Sequence, residues 1–390
     1  MRKTILKALG AACALSILLS GTAFAQDTVK VGVIAPFSGP FAIWGKQFKD
    51  GVDVFVAQNG EMAGDHKVEF IYKDSGGPNP SGTKALAQEL IIKDKVDYLG
   101  GLVFTPNALA VAPLIDEAQV PTVIFNAATS SIVLESDYFV RTSFSLWQVS
   151  VPMAQWAWDQ GVRSVVISVT DYGPGNDAKV AFASTFEALG GTVLDSIAMP
   201  LQTADFAPFM QRIKDQNPDA LFAFLPAGPP TFAYVKAYNE NGLADAGIKF
   251  LGTGETDETN LQALGDAALG LTTAYHYSAA HDSEKNRAFT AKLEEVSPGS
   301  VANLASVGAY DGAFVLYEMI RDSGADSAGA VDKVRGLAWE SPRGPVSLDQ
   351  ETRHITQNVY IRQVARDESG VLINEEFETV PDVPDLGLTQ

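Results

Sequence analysis

VKVGVIAPFSGPFAIWGKQFKDGVDVF, residues 29–55, decides how the rest of the chain is read. VKVGVIA is short, apolar and rich in β-branched residues, and it stops at Pro36, as a strand buried on both faces does. After Ser38-Gly39-Pro40 the periodicity changes. Phe41, Trp44, Phe48, Val52 and Phe55 recur at three or four positions, which is one face of a helix. A buried strand, a small-residue loop and an amphipathic helix make the first part of a βα unit.

The unit repeats along the chain. HKVEFIYKDS (66–75), VDYLGGLVF (96–104) and VPTVIFNAA (120–128) read as strands, with PSGTKALAQELIIKDK (80–95) and PNALAVAPLIDEAQ (106–119) as the helices between them. After FVRTSF (139–144) a second series follows, with helices at 151–161, 177–191, 206–216 and 230–242 and strands at 163–173, 191–200 and 218–228. Short connections between alternating strands and helices imply parallel sheets and right-handed crossovers. No Gly/Ser- or Pro-rich linker separates the two series, so the expected fold class is α/β with two similar lobes. Further on, 284–296, 302–324 and 327–339 read as helices and ITQNVYIRQVAR (355–366) as a strand. The tail from Pro381 to Gln390 reads as a loosely held end.

Residues 1–25 read differently. Arg2, Lys3 and Lys7 precede an apolar stretch, and Ala23-Phe24-Ala25 is a small-x-small cleavage site, which together describe a secretory signal peptide. Cleavage near Ala25 leaves ~365 residues, more than one core usually organises. Cleavage also removes Cys13, the only cysteine, so no disulfide is expected. Loss of three positive and no negative charges takes the formal charge from −19 to −22, which argues against nucleic-acid or anionic-membrane binding.

In open parallel sheets, ligands bind beyond the carboxyl ends of the strands, where strand order reverses. Three such ends carry small polar groups: Ser38-Gly39-Pro40, Phe104-Thr105-Pro106-Asn107 and Asn126-Ala127-Ala128-Thr129. Helix starts there offer unpaired N–H groups that suit a carboxylate. Alternatively, each hydroxyl caps its own helix. Trp44 is either a cleft wall or a core residue, and Tyr172, after a second-series strand, would face it. Arg141 either meets a carboxylate or braces the crossing; His276 and His281 either approach a ligand or sit in loops, the latter being preferred. No zinc, Walker, Rossmann or nucleophile-elbow motif is present, and no nucleophile–base pair supports an enzyme. No metal or cofactor is implied.

An exported chain carrying VGVIAPFSGPFAIWG, PTVIFNAATSS, FVRTSF, GAYDGA and SPRGPVSLD in this order resembles the periplasmic solute-binding proteins of branched-chain-amino-acid-type ABC transporters. The resemblance implies a type I periplasmic-binding fold, two lobes joined by three crossings near Thr142–Trp147, Thr272–His276 and Arg343–Val346. Lobe 1 would be 26–144 plus 276–343, and lobe 2 would be 145–275 plus 344–390. It implies a monomer that closes on a small carboxylate and presents it to a membrane permease and ATPase. By the same resemblance, Ala127 and Thr129 match ligand contacts and Trp44 and Tyr172 the two aromatic walls, while the loop 104–107 departs, with Phe104 or Thr105 where the family's amino-acid binders have a serine-rich turn. Ser38, Phe104, Thr105, Asn107 and Gly228 complete the expected ligand-binding set. Either Glu255 or Asp257 would supply an acid for an amino-acid ammonium. VRTSF (140–144), SPRGP (341–345) and QNVYIR (357–362) are similar to segments of the aromatic-acid-binding branch, which implies a hydroxybenzoate-like ligand. The alternatives are a branched-chain amino-acid binder of the same family and the ligand-binding subunit of a sensor.

Overall fold

The computed structural model describes residues 28–388. The signal-peptide reading, with its cleavage site, falls on residues 1–25 and lies outside them. In chain order the strands are β1 (Thr28–Ala35), β2 (Met62–Ala63), β3 (His66–Asp74), β4 (Tyr98–Gly101), β5 (Thr122–Ile124) and β6 (Phe139–Arg141). They continue with β7 (Ser164–Thr170), β8 (Thr192–Met199), β9 (Ala220–Phe224), β10 (Lys249–Gly252) and β11 (Thr272–Tyr275). The last four are β12 (Ala338–Ser341), β13 (Gly344–Leu348), β14 (Ile355–Arg366) and β15 (Leu372–Val383).

Two sheets result. The first is six-stranded in the order β2-β3-β1-β4-β5-β6, parallel except for the β2 edge. The second is nine-stranded: β12-β13-β14-β11-β10-β9-β7-β8, with β15 on β14. Its β8-β7-β9-β10-β11 portion is parallel and the C-terminal strands join it antiparallel. The first sheet reverses its winding between β1 and β4, the second between β7 and β9. Each reversal leaves a crevice at the carboxyl ends of its strands.

The opening stretch folds as its pattern requires. β1 is buried along nearly its whole length between β3 and β4. The helix Ala42–Asn59 buries Trp44, Phe48, Val52 and Phe55, the face read from the spacing. Its first turn is pulled against the strand end by the Gly45 N–H, which donates to the Pro36 carbonyl at 3.0 Å. A Cβ on Gly45 would stand 2.3 Å from that oxygen, so only glycine permits the approach.

The chain passes from the first sheet to the second between β6 and the helix Leu146–Asp159, which Ser145 and Gln148 open with a capping box. The crossing expected at Thr272–His276 begins instead after Tyr275. Thr272–Tyr275 pair with β10 on one side and β14 on the other, and so form a strand within the second sheet. The third passage is the hairpin β12–β13. Trp339 Nε1 and Ser341 Oγ donate to Asp311 on the helix Leu304–Ser323, while β13 pairs with β14. The helix expected over 327–339 shrinks to Ala330–Lys333, because the residues from Ala338 are drawn into that hairpin.

The tail is not loose. β15 runs through Val383, and the buried Asp385 beyond it accepts from Arg141 Nη2 at 2.8 Å and Ser130 Oγ at 2.6 Å. Among the described residues no helix is long and apolar enough to cross a membrane, and no group of His, Cys, Asp and Glu could hold a metal.

Candidate functional site

The two crevices face each other and leave a small cavity of about 30 Å³ between them. From the first sheet come Val103 after β4, Asn126 and Ala128 after β5, and Trp44 from the first helix. From the second come Tyr172 and Pro174 after β7, Phe224–Ala227 at the end of β9, Gly254 after β10 and Tyr275 on β11. Phe144 in the first crossing and Leu304 at the start of its helix complete the wall. The first helix, the first crossing and the strand ends of the second sheet thus deliver aromatic rings to one space, a usual composition for a small-molecule pocket.

Trp44 does two things. It is only 4% exposed and packs edge-on against Phe48, and its indole Nε1 donates across the cleft to the Ala227 carbonyl at 3.3 Å. The opposite wall is Tyr172, whose ring lies parallel to Phe224 with centroids 6.2 Å apart. At the back, Phe144 meets Tyr275 edge-on at 5.0 Å and stacks on His276 at 4.8 Å. His276 lies in the loop after β11, as preferred from sequence, but is fully buried there; burial, then Arg343 and Arg362, hold its pKa well below the usual value, so the ring is neutral. His281 is half-buried and bonded to Glu376.

Of the residues singled out from sequence, Trp44 and Tyr172 line the cavity. The others sit nearby with different work. Ser38 is exposed at the start of a short 3-10 turn. Phe104 packs edge-on against Phe41 inside the first lobe. Asn107 donates to the Gly77 carbonyl at 2.9 Å, and Thr105 Oγ1 accepts from the Thr129 N–H at 3.4 Å. Ala127 is buried, with its N–H on Leu102 and its carbonyl on Arg141, so its backbone is spent. Thr129 stands against the second lobe: a Cβ on Gly173 would come within 2.7 Å of its Oγ1. Gly228 opens the helix Pro229–Glu240 and, with Asp257, borders a second space of about 250 Å³ that shares Trp44, Ala227 and Leu304 with the cavity. Arg141 reaches no cavity; it binds the carbonyls of Ala127 and Thr129, His354 and Asp385.

The two candidate acids are also occupied. Glu255 accepts from the Leu225 N–H at 2.9 Å and the Thr253 N–H at 2.5 Å. Burial pushes its carboxyl up to about 7. Asp257 caps its own helix through Thr259, and its other oxygen accepts from the Leu304 N–H at 3.2 Å, so an acid of the second lobe caps a helix of the first. Asp177 does the same for the Ser130 N–H at 2.8 Å, and burial raises it to about 6. Behind Tyr275 lies the buried Arg362, its guanidinium 5.0 Å from the ring centroid, donating to Thr273 and to the Tyr277 carbonyl. No carboxylate ion-pairs with it among the described residues.

Proton linkage follows from these burials. Glu255, Asp177 and Glu258 each hold a proton more tightly folded than unfolded, because burial disfavours the charged form. The folded state therefore keeps protons that the unfolded chain loses from about pH 4, and the contribution of these three groups to stability falls as pH rises toward 7. Carboxyls held low, such as Glu89 beside Lys73, matter only on acidification below the ordinary 4.5. Buried His276 and His354, held well below their usual value, act with the opposite sign below about pH 6.5, so the test is a comparison with a variant. Relative to wild type, Glu255→Gln is expected to lose less melting temperature between pH 5 and pH 8 at fixed ionic strength. An identical pH dependence in the two proteins would contradict the assignment.

Sequence reasoning missed Asn126's side chain, Phe144, Phe224, Tyr275 and Leu304 as wall residues, although Asn126 and Phe144 lie inside segments it singled out. The profile of the periplasmic binding protein family matches residues 28–369. The chain belongs to that family. This periplasmic binding protein is 51% identical over 375 residues to a Leu/Ile/Val-binding protein homolog 6 of Brucella abortus, covering 95% of this chain and 96% of the relative. It is 53% identical, with a TM-score of 0.90, to an ABC-transporter solute-binding protein of Rhodopseudomonas palustris solved with 4-hydroxybenzoate, covering 93% and 99% of the two chains. A second solute-binding protein of that species, solved with 3,4-dihydroxybenzoic acid, is 43% identical with a TM-score of 0.89, covering 93% and 100%. This periplasmic binding protein is thus a solute-binding protein of the ABC-transporter type.

Proposed function

We propose that the protein captures an aromatic monocarboxylate, such as a hydroxybenzoate, in the periplasm and delivers it to an ABC permease. The observation that carries this reading is the composition of the cavity wall. Rings of Trp44, Phe144, Tyr172, Phe224 and Tyr275 supply apolar surface, and no acidic side chain lines the space. An ammonium enclosed there would lack a counter-ion, which is costly; Glu255 and Asp257 already spend both oxygens on backbone N–H groups and Thr259. A carboxylate has partners. The Tyr172 and Tyr275 hydroxyls carry no hydrogen bond to other described residues, burial raises both phenols far above neutral pH, and the Arg362 charge stands behind Tyr275. The ligands named for the two Rhodopseudomonas proteins support the same class.

Function on this reading is a population shift. Ligand stabilises the closed arrangement, in which Trp44 reaches Ala227 and two second-lobe acids cap first-lobe helices, and the closed form is what a permease engages. The proposed lobes are 26–144 with 276–343 and 145–275 with 344–390, acting as a monomer exported by cleavage near Ala25. A branched-chain amino acid is the second reading, favoured by the name of the Brucella relative.

The test is a thermal-shift panel on protein refolded free of carried-over ligand: benzoate and hydroxybenzoates against leucine, isoleucine, valine and phenylalanine. At ~100 times its dissociation constant a true ligand stabilises by about 2.7 kcal/mol, a shift of several degrees. Shifts with aromatic acids alone are expected. Shifts with the aliphatic amino acids alone would transfer the assignment to the second reading.

A further inference from the structure

We propose that Asn126 selects for a hydroxyl on the ligand ring, and so sets both specificity and ligand direction; the inference rests on the aromatic-acid reading above. Asn126 follows β5 at the wall of the cavity and is 9% exposed. Its Nδ2 donates to the Val103 carbonyl at 2.8 Å. A carbonyl oxygen can only accept, so the amide atom beside it is the nitrogen and the orientation of the side chain is determined. The remaining atom, Oδ1, is buried and has no hydrogen-bond partner.

Asn126 therefore offers the cavity an acceptor and nothing else. A carboxylate presents only lone pairs and is repelled there, whereas a phenol presents an O–H and satisfies the orphan oxygen. Donors sit at the other wall, where the Tyr172 and Tyr275 hydroxyls come from the second sheet. The polarity of the cavity places the ring hydroxyl against the first lobe and the carboxylate against the second. A buried site built to accept a hydrogen bond discriminates strongly against an analogue that lacks the donor, because its own polar atom is then left unpaired. It tolerates a donor-free ring only at the cost of that unpaired oxygen.

The experiment is calorimetric titration of the full mature chain with benzoate, 3- and 4-hydroxybenzoate and 4-methoxybenzoate, on wild type, Asn126→Leu and Tyr275→Phe. Wild type is expected to bind one hydroxybenzoate isomer ~10-fold or more tighter than benzoate, with the methoxy analogue no better than benzoate. Asn126→Leu weakens the hydroxy ligand and relieves benzoate of the unpaired oxygen, closing the gap. Tyr275→Phe weakens benzoate and hydroxybenzoate by the same factor, since both carry the carboxylate. Because Asn126→Leu also removes the bond to Val103, the methoxy comparison on wild type tests the donor requirement without any mutation. A gap that survives in Asn126→Leu, or a methoxy ligand that matches the hydroxy one, overturns the role of Asn126 while leaving the aromatic-acid reading in place. Binding of no benzoate at all, with a response to aliphatic amino acids, overturns both.

Discussion

Asp385→Asn is expected to cost about 3–5 kcal/mol of folding stability, measured by urea unfolding of the mature chain. Arg141 and Asp385 are both fully buried and pair at 2.8 Å, and Asp385 also takes the Ser130 hydroxyl. Burial pulls the Arg141 guanidinium down to about 10, with Asp385 opposing that shift. Remaining partners of Arg141 are two carbonyls and His354 Nδ1, which accept hydrogen bonds but carry no negative charge. Removing the carboxylate therefore leaves a buried cation uncompensated. The double variant Arg141→Met, Asp385→Leu is expected to recover a large part of the loss, because replacing both charges with apolar groups removes the desolvation cost along with the attraction. A single-variant loss under about 1 kcal/mol would mean that the tail segment is bound passively.

Trp44→Ala is expected to weaken ligand binding ~10- to 100-fold in the folded fraction. The indole provides a cavity wall and the bond to Ala227 that spans the cleft, so its loss removes ligand contact and destabilises the closed arrangement together. Packing against Phe48 adds a folding cost to the alanine variant, and affinity must be read per folded molecule. Trp44→Phe separates the effects. It keeps an aromatic wall and most of the packing while deleting the indole N–H, and a smaller loss of affinity with near-normal stability is expected. If Trp44→Ala lowered stability alone, with calorimetric affinity intact, Trp44 would be a core residue and the cavity would close without it.

Much of this was legible in the chain itself because it depends on local pattern. β1 and the helix after it follow from an apolar β-branched run that changes to a three-and-four spacing. The two βα series follow from the same alternation, and the position of Tyr172 at the crevice follows from the rule for strand ends at a winding reversal; Trp44, inside the first helix, has a spacing that fits core and wall alike. Other positions stand one residue from the cavity wall. Ala128 and Asn126 line the cavity where Ala127 and Thr129 were expected, because Ala127 turns its carbonyl inward to Arg141 and Thr129 turns toward Gly173. Side-chain direction after a short strand depends on which partner captures the backbone, and that partner is 14 residues away in sequence.

Local pattern was enough for the α/β class and the two-lobe division, since periodicity, turn residues and composition act over a few residues at a time. Only the tertiary structure decided the electrostatics of the cleft. Glu255 and Asp257 are plausible counter-ions on paper, but their oxygens are taken by N–H groups of Leu225, Thr253 and Leu304, the last from the opposite lobe. Asp385 looked like part of a free end until the fold brought it to Arg141, 244 residues earlier in the chain. A carboxylate's role is set by which donor reaches it first and by how much water is excluded, and neither is written in the spacing of residues.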